Sequence, residues 1–351
     1  MFLPAIFLLL LPTPAAQMPM PVDQAERLTV TILDAATRQQ WDLTQPALRS
    51  LREQYPEFRP LPQLETLVQR HGMITLTPPV AITPETDEFL PDNLQAELLL
   101  RWQHRAPAKG LYPYPLLKLG AHHPYIFVVD LEKARLYLYE NAGGELRLLA
   151  NYYSGIGKQG AGKRREGDHR TPVGVYTFLE YIGDNRLPDL YGAGALTLNY
   201  PNRWDRRLGR TGSNIWLHGV PRSTYSRAPR SSRGCVTVSN FIFDALSRYA
   251  LPGHTPIVLA DHLEWQTAEQ TAQQRTVFDA LLEQWRVAQA ASAAAEIDLE
   301  DIDMYFYPGE QNLVQMNFKQ LTAPAGSAKE SFRTLYWKLQ PDNLWKVVAE
   351  F

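Results

Sequence analysis

The spacing of apolar residues changes twice along the chain, and each change predicts a boundary between regions. From residue 18 to about residue 115, apolar side chains recur every three or four positions, as at Leu48, Leu51 and Tyr55, which is the period of an amphipathic helix. Prolines divide this stretch into short pieces, and we find no catalytic constellation in it. We therefore predict a mostly helical N-terminal region (residues 18–115) with a positioning role.

In residues 116–261 the pattern changes to short runs rich in β-branched and aromatic residues, which is typical of strands. The runs cover residues 125–130, 135–140, 146–153, 174–178, 196–200, 215–219 and 256–260. The sequence Asn-Ala-Gly-Gly at residues 141–144 favours a hairpin connection. One helix, capped by Ser239, interrupts the strands. These residues predict a mainly β central domain.

The last region, residues 262–351, combines a helical and a strand pattern. An amphipathic helix is predicted from about residue 263 to residue 290, with Val277, Leu281, Trp285 and Ala288 on one face. Strands are predicted over residues 313–321, 331–339 and 344–351, the last two joined by a turn. An acidic segment lies between the predicted helix and the predicted strands. It lacks the central glycine and the final glutamate of a calcium-binding loop, so we interpret it as a solvated edge. Its acidic residues are Glu296, Asp298, Glu300, Asp301 and Asp303. The whole chain is thus predicted to be a multidomain α+β protein.

The N-terminus predicts export. Residues 2–11 are apolar and are followed by prolines and small residues, the pattern of a secretory signal peptide. We assign residues 1–17 to this signal; the alternative, a buried helix, is disfavoured by Pro4, Pro12 and Pro14. No later segment approaches the roughly 20 apolar residues that cross a bilayer, so we expect no transmembrane segment in the mature chain.

Charge is distributed unevenly along the chain. The formal net charge is −2, which excludes a polycation that coats nucleic acid. Residues 158–233, however, carry 14 Lys and Arg against 6 Asp and Glu. This surplus favours an anionic ligand for the central domain, although a solvated loop surface is the simpler interpretation for any single arginine.

The chain has one cysteine, Cys235, so an internal disulfide is impossible. A lone thiol in an exported protein is buried and inert, paired between chains, or kept for its reactivity. Cys235 follows Gly234 at a predicted turn, and His218 ends a predicted strand just before Gly219. Because histidine can take a proton from a thiol, a Cys–His couple is chemically sufficient for acyl transfer.

Two motifs make the chain resemble the YkuD-type L,D-transpeptidases. His218-Gly219, followed after a loop by Ser232-Arg233-Gly234-Cys235-Val236, is similar to the active-site signature of that family. Residues 171–176, Thr-Pro-Val-Gly-Val-Tyr, are similar to its TPxGxY element. The resemblance implies that Cys235 is the nucleophile, that His218 is the general base, and that the Gly219 carbonyl orients the imidazole. It also places an oxyanion hole at the Gly234 and Cys235 amides.

The resemblance is incomplete at the substrate side of the signature. The family often has histidine before the glycine and arginine two positions after the cysteine, where this chain has Arg233 and Thr237. We expect Arg233 or Arg230 to supply the missing charge, and we include Ser232 and Tyr200 among the substrate-binding residues. We also expect Cys235 to alkylate faster than an ordinary thiol near pH 7, because His218 activates it.

Residues 262–351 resemble the NTF2-like domain that follows the catalytic domain in a Gram-negative subset of the family, which includes L,D-carboxypeptidases that trim peptidoglycan in helical bacteria. The two resemblances together imply a periplasmic enzyme that takes peptidoglycan stem peptides. It would cleave the bond between the diamino acid and D-Ala of a tetrapeptide stem through a Cys235 thioester. Water would resolve the thioester in an L,D-carboxypeptidase, and an amine would do so in an L,D-transpeptidase.

The competing interpretation is a non-catalytic cell-wall binding or assembly protein. In that case the central domain holds stem peptides and the C-terminal domain recruits a protein partner or a small ligand. No cofactor is implied, and a nucleic-acid partner is disfavoured. We predict no metal site either, because His71, His122 and His123 have no Cys or His partners at metal-ligand spacing and are expected to be ordinary surface histidines.

Overall fold

A computed structural model describes residues 19–69, 91–104, 106–323 and 329–351. The predicted signal peptide and His71 lie outside these residues. None of the helices in the described ranges combines the length and the apolar character needed to span a membrane.

The described part of the N-terminal region contains four helices, in agreement with the predicted helical character. They are α1 (Gln24–Thr37), α2 (Trp41–Gln54), α3 (Leu61–Gln69) and α4 (Pro91–Gln103). The side chain of Asp23 caps α1 by accepting the Glu26 amide at 2.9 Å, which satisfies one of the free donors of a helix start. The residues at helical spacing meet in one core, which includes Ile32, Leu33, Leu48, Leu51, Leu64 and Leu98.

The chain then enters the central domain by way of two short strands, β1 (Leu111–Pro113) and β2 (Leu116–Lys118). The strands and helices that follow, up to residue 260, are β3 (Tyr125–Asp130), β4 (Arg135–Ala142), β5 (Glu145–Tyr153), β6 (Ile156–Gly157), β7 (Gly174–Gly183), β8 (Gly194–Leu198), α5 (Arg203–Arg207), β9 (Trp216–His218), β10 (Arg230–Ser232), β11 (Val236–Thr237), α6 (Asn240–Ser247) and β12 (Pro256–Ala260). Eight of them form one sheet in the order β11-β9-β8-β7-β12-β3-β4-β5. The predicted mainly β domain is therefore present, with α5 as a second helix that the sequence pattern did not indicate.

Both faces of this sheet are covered. Alternate residues of β3 enter two different cores: Phe127 and Val129 pack on the side of α6, and Ile126 and Val128 pack on the side of the C-terminal region. This follows from the two-residue period of a strand. Because both sets are buried, β3 has a continuous apolar sequence with no polar alternation.

The C-terminal region begins with β13 (Trp265–Thr267), which leads into α7 (Ala268–Ala293). Helix α7 starts later than predicted, at a capping box formed by Thr267 and Gln270. Its buried residues are Phe278, Leu282 and Trp285. Of the predicted face, Trp285 is buried, whereas Val277 is exposed and its neighbour Phe278 is buried instead.

The helix packs on an antiparallel sheet made of β14 (Glu296–Phe306), β15 (Leu313–Ala323), β16 (Lys329–Leu339), β17 (Trp345–Glu350) and the earlier strand β2. The predicted helix and three strands are confirmed. The acidic segment is a strand; its Glu296, Asp298 and Glu300 are exposed, as expected of a solvated edge, whereas Asp303 is buried. The NTF2-like resemblance of this region stays a prediction.

Buried polar contacts join the three regions. The Asn202 side chain donates to the carbonyl of Val175 in the central sheet and meets the Tyr307 hydroxyl of the C-terminal region, both at 2.9 Å. On the other side, Ser226 Oγ donates to the Glu97 carboxylate of α4 at 2.9 Å. The N-terminal helices thereby hold the loop that connects β9 to β10, next to the residues described below.

Candidate active site

Cys235 immediately precedes β11 (Val236–Thr237), and His218 ends the neighbouring strand β9. Strands β11 and β9 pair in parallel, with Thr237 opposite His218 and Val236 opposite Leu217. Because side chains alternate along a strand, Cys235 is on the same side of this pair as Thr237 and His218. The register therefore brings the thiol to the imidazole side of the sheet edge.

The turn before Cys235 depends on glycine. Gly234 has φ +128°, and a Cβ atom there would lie 2.7 Å from the Arg170 carbonyl oxygen. Ser232 fixes the same turn: its hydroxyl donates to the Cys235 carbonyl at 2.6 Å and accepts the Gly234 amide at 3.1 Å. The Gly234 amide already donates to Ser232. Of the two amides predicted to form the oxyanion hole, only the Cys235 amide is therefore available to bind an oxyanion.

The tautomer of His218 follows from its neighbour. Its Nδ1 atom is 2.6 Å from the Gly219 carbonyl oxygen, the contact that the family resemblance implies. A carbonyl can only accept, so Nδ1 carries the proton and the lone pair is on Nε2. The residue is 3% exposed, and burial lowers the pKa of His218 to about 4.

The thiol is protonated at rest. Burial raises the pKa of Cys235 from its ordinary 9.0 to about 11, although the Trp216 amide and the charges of Arg227 and Lys163 act to lower it. The Sγ atom donates to the Asn214 carbonyl at 3.4 Å. The resting pair is therefore a neutral thiol beside a neutral imidazole, and the expectation of a thiol activated at rest is wrong.

Two cations act on the thiol. Arg227 is half-buried and donates to the Ser231 carbonyl at 3.1 Å. Lys163 is buried and paired with Asp168 at 2.8 Å. Both charges favour the thiolate. In the sequence, Arg227 and Lys163 were recognisable only as two of the many basic residues in the positively charged segment. No sequence pattern indicated that Lys163 is buried.

Asn240 is a positioning residue that the sequence analysis missed. Its Oδ1 atom accepts the Ala193 and Val220 amides at 3.0 Å, and its Nδ2 atom donates to the Val220 carbonyl at 2.9 Å. Gly219 fits beneath it, where a Cβ atom would lie 2.2 Å from Oδ1. Asn240 and the backbone groups that it binds, which we call the Asn240 clamp, thus fix the Gly219 carbonyl that orients His218. The sequence indicates only that Asn240 lies at the start of a helix.

Tyr191 was missed as well. Its ring packs edge-on against the His218 imidazole, with 4.9 Å between ring centroids. Burial raises the pKa of Tyr191, and the Cys235 charge acts in the same direction. The ring therefore packs directly against the imidazole of the candidate site.

The predicted substrate residues divide into two groups. Arg230 and Arg233 are exposed beside the Cys235 turn, where they can reach an anionic ligand. Ser232 is buried and holds the turn. Tyr200 is 5% exposed in the core of the central domain, and its hydroxyl donates to the Thr211 carbonyl at 3.0 Å. The structure does not bring Tyr200 to the thiol: it lines a separate cavity toward the C-terminal sheet.

A cysteine just before one strand and a histidine at the end of the neighbouring strand, with two cations acting on the thiol, are chemically sufficient for nucleophilic acyl transfer. Residues 124–259 match the family model of the YkuD L,D-transpeptidase catalytic domain. The central domain is thus a member of the YkuD family, and the resemblance stated from its motifs is confirmed.

One relative with a corresponding name and two solved structures are similar to this chain. The chain is 33% identical over 102 residues to the Escherichia coli K12 protein named "Putative L,D-transpeptidase YafK"; the match covers 27% of this chain and 38% of that protein. Among solved structures, Bd1075 of Bdellovibrio bacteriovorus is 26% identical with a TM-score of 0.59, covering 69% of this chain and 97% of Bd1075.

The helical cell shape determining protein Pgp2 of Campylobacter jejuni has a similar fold. It is 20% identical with a TM-score of 0.54, over 74% of this chain and 100% of Pgp2. The similarity to Bd1075 and Pgp2 covers a larger share of the chain than the catalytic-domain match alone.

Proposed function

We propose that the protein is a peptidoglycan-modifying cysteine acyltransferase that acts in the periplasm on tetrapeptide stems. The observation that carries this proposal is the pairing of β9 with β11, which places the Cys235 thiol on the side of the His218 imidazole. The YkuD match supports the substrate class. Stem peptides carry carboxylates, and the exposed Arg230 and Arg233, which precede Cys235 by five and two positions, suit such a ligand.

The reaction begins from the neutral pair. As substrate binds, the thiol proton moves to His218 Nε2 and Cys235 Sγ forms a bond to the carbonyl carbon between the diamino acid and D-Ala. The Cys235 amide can donate to the oxygen of the tetrahedral intermediate. When the C–N bond breaks, His218 returns the proton to the leaving D-Ala amine, and the thioester remains on Cys235.

The acceptor decides the outcome. Water that loses a proton to Nε2 attacks the thioester, the C–S bond breaks, and the proton returns to the Cys235 sulfur. The product is a tripeptide stem, which is the L,D-carboxypeptidase reaction. An amine of a second stem gives a cross-link, which is the L,D-transpeptidase reaction. We propose water as the acceptor, on the resemblance of the C-terminal region alone.

Two observations favour a second candidate, a non-catalytic cell-wall binding protein. The thiol is protonated at rest, so catalysis needs a proton transfer to His218, and the Gly234 amide is engaged by Ser232, which leaves the oxyanion hole one amide instead of two. A binding protein would need neither the proton transfer nor the second amide.

Digestion of purified tetrapeptide muropeptides distinguishes these functions. Wild type, Cys235→Ala and the exposed-site control Arg207→Ala are incubated with the same muropeptides, and the products are separated and weighed by mass spectrometry. Loss of D-Ala with wild type and the control, but not with Cys235→Ala, supports the carboxypeptidase. Cross-linked dimers would indicate the transpeptidase. Unchanged muropeptides in all three folded samples would contradict catalysis and favour the binding protein.

A further inference from the structure

Two histidines and a buried aspartate meet where the chain passes between its two large sheets. His122 and His123 lie in the loop from β2, which belongs to the C-terminal sheet, to β3, which belongs to the central sheet. Asp303 lies in β14, 180 positions after His123. One potential ligand atom from each residue lies within 4.8 Å of the others. The sequence analysis found no metal-ligand spacing here because the third group comes from a distant strand.

The distances suit a single ion. His123 Nε2 is 3.1 Å from Asp303 Oδ2, and His122 Nε2 is 3.9 Å from the same oxygen. The ring centroids of the two histidines are 3.7 Å apart. An ion with tetrahedral bonds of roughly 2.0–2.1 Å holds its ligand atoms about 3.4 Å apart. Both nitrogen–oxygen distances lie within about half an ångström of that spacing.

Polar groups in the cluster lack partners. The Nδ1 atoms of both rings are buried, and within the described residues neither has a hydrogen-bond partner. Asp303 is 2% exposed, and the ion pairs described for it are with the two imidazoles only. A buried carboxylate needs a positive charge nearby, and a bound cation would supply it. The two rings are half-buried, unlike the surface histidines that the sequence predicted.

The surrounding backbone holds the three groups in place. Asp303 Oδ1 accepts the Gly120 amide at 2.8 Å, which leaves Oδ2 facing the rings. Asn141 Nδ2 donates to the Gly120 and His123 carbonyls at 2.9 and 3.0 Å. The pairing of β14 shifts register just before Asp303, a bulge of the kind that re-aims a side chain.

An outer carboxylate completes the arrangement. Asp301 Oδ1 lies 3.4 Å from His122 Nδ1. A carboxylate behind a coordinating histidine orients the ring and raises its basicity. His123 and Asp303 also line a cavity of about 480 Å³ between the sheets, which gives an ion an entry path and leaves a coordination position open.

We propose that His122, His123 and Asp303 bind one divalent transition-metal ion, with Zn²⁺ as the best match to two imidazoles and one carboxylate. The ion ties the loop that enters the central domain to the C-terminal sheet, so its role is structural and separate from the thiol chemistry. The alternative is a plain hydrogen bond from His123 to Asp303 with no ion.

Zinc titration tests the proposal. The full-length protein is prepared in a Cys235→Ala background, so that the thiol cannot bind metal, stripped with a chelator, and titrated with Zn²⁺ against a chromophoric chelator. We expect one equivalent of bound zinc. Asp303→Asn and His122→Ala should each weaken binding at least about tenfold. The control is His262→Ala, an exposed histidine beside Asp261 and Glu264, which should leave binding unchanged.

Two ligand variants are tested because one of them could misfold. Asp303→Asn can disturb the contact with the Gly120 amide, so a thermal melt accompanies each titration. If Asp303→Asn is unfolded, the conclusion rests on His122→Ala. Zinc should also raise the melting temperature of the parent protein and not that of His122→Ala. Absence of stoichiometric zinc binding in the parent, or equal affinity in His122→Ala and His262→Ala, would overturn the proposal.

Discussion

Alkylation of Cys235 tests the electrostatics of the site, since the chain has a single cysteine and every adduct reports on it. Burial raises the pKa of this thiol from 9.0 to about 11, so at pH 7 its thiolate fraction is about 100-fold lower than that of an ordinary thiol. The more basic thiolate is intrinsically more nucleophilic, which recovers about 8-fold. We therefore expect iodoacetamide to react roughly tenfold more slowly than with a free thiol.

The pH profile and one variant sharpen this prediction. Below the pKa the thiolate fraction rises tenfold per pH unit, so the logarithm of the alkylation rate should rise with unit slope from about pH 6 to about pH 9 without a plateau. His218 is neutral over this range, so His218→Asn should change the rate only a few-fold. The assay is intact-protein mass spectrometry at timed intervals. A plateau below about pH 8.5, or a large loss of rate in His218→Asn, would show a thiolate–imidazolium pair at rest and refute the reasoning.

Three further predictions concern stability and positioning. Burial lowers the pKa of His218 from 6.5 to about 4, so the unfolded chain binds the proton first as the pH falls. Wild type should lose about 3 kcal/mol of unfolding free energy between pH 6.5 and pH 4 relative to His218→Asn, measured by urea denaturation. Gly219→Ala places a Cβ atom 2.2 Å from Asn240 Oδ1 and should lower the melting temperature and abolish muropeptide turnover; an unchanged melt would contradict the clash. Glu97→Gln breaks a buried ion pair with Arg101 and should lower the unfolding free energy, measured by urea denaturation, by about 3 kcal/mol. The control Glu65→Gln, whose partner is exposed, should lower it by less than about 1 kcal/mol. Equal losses in the two variants would contradict a stabilising role for the buried pair.

The parts of the fold that depend on local sequence pattern could be predicted from the sequence. The three- and four-residue spacing of the N-terminal region predicted its helices, and the glycines beside His218 and Cys235 indicated the turns that present them. Strand β14 was missed because its alternation of Ile297 and Leu299 with acidic residues is broken by the register shift before Asp303. A bulge moves later side chains to the other face, so the segment did not have the period of a strand.

Features that depend on burial or on distant contacts could not be predicted. The direction of the Cys235 pKa shift follows from desolvation, and no local motif encodes how deeply a side chain is buried. Tyr200 was predicted to bind substrate, yet its side chain is buried and its hydroxyl donates to the Thr211 carbonyl. The Asn240 clamp and the His122–His123–Asp303 cluster each join segments that are far apart in the chain.

Trapping the covalent intermediate tests the central claim most directly. Wild type, Cys235→Ala and His218→Asn are mixed with a purified tetrapeptide muropeptide, quenched in acid within seconds, and measured as intact proteins by mass spectrometry. We predict a wild-type adduct with the mass of the muropeptide less D-Ala, mapped by proteolysis to Cys235, and no adduct on either variant. D-Ala release without a wild-type adduct, or with an adduct that persists in Cys235→Ala, would contradict a thioester on this cysteine.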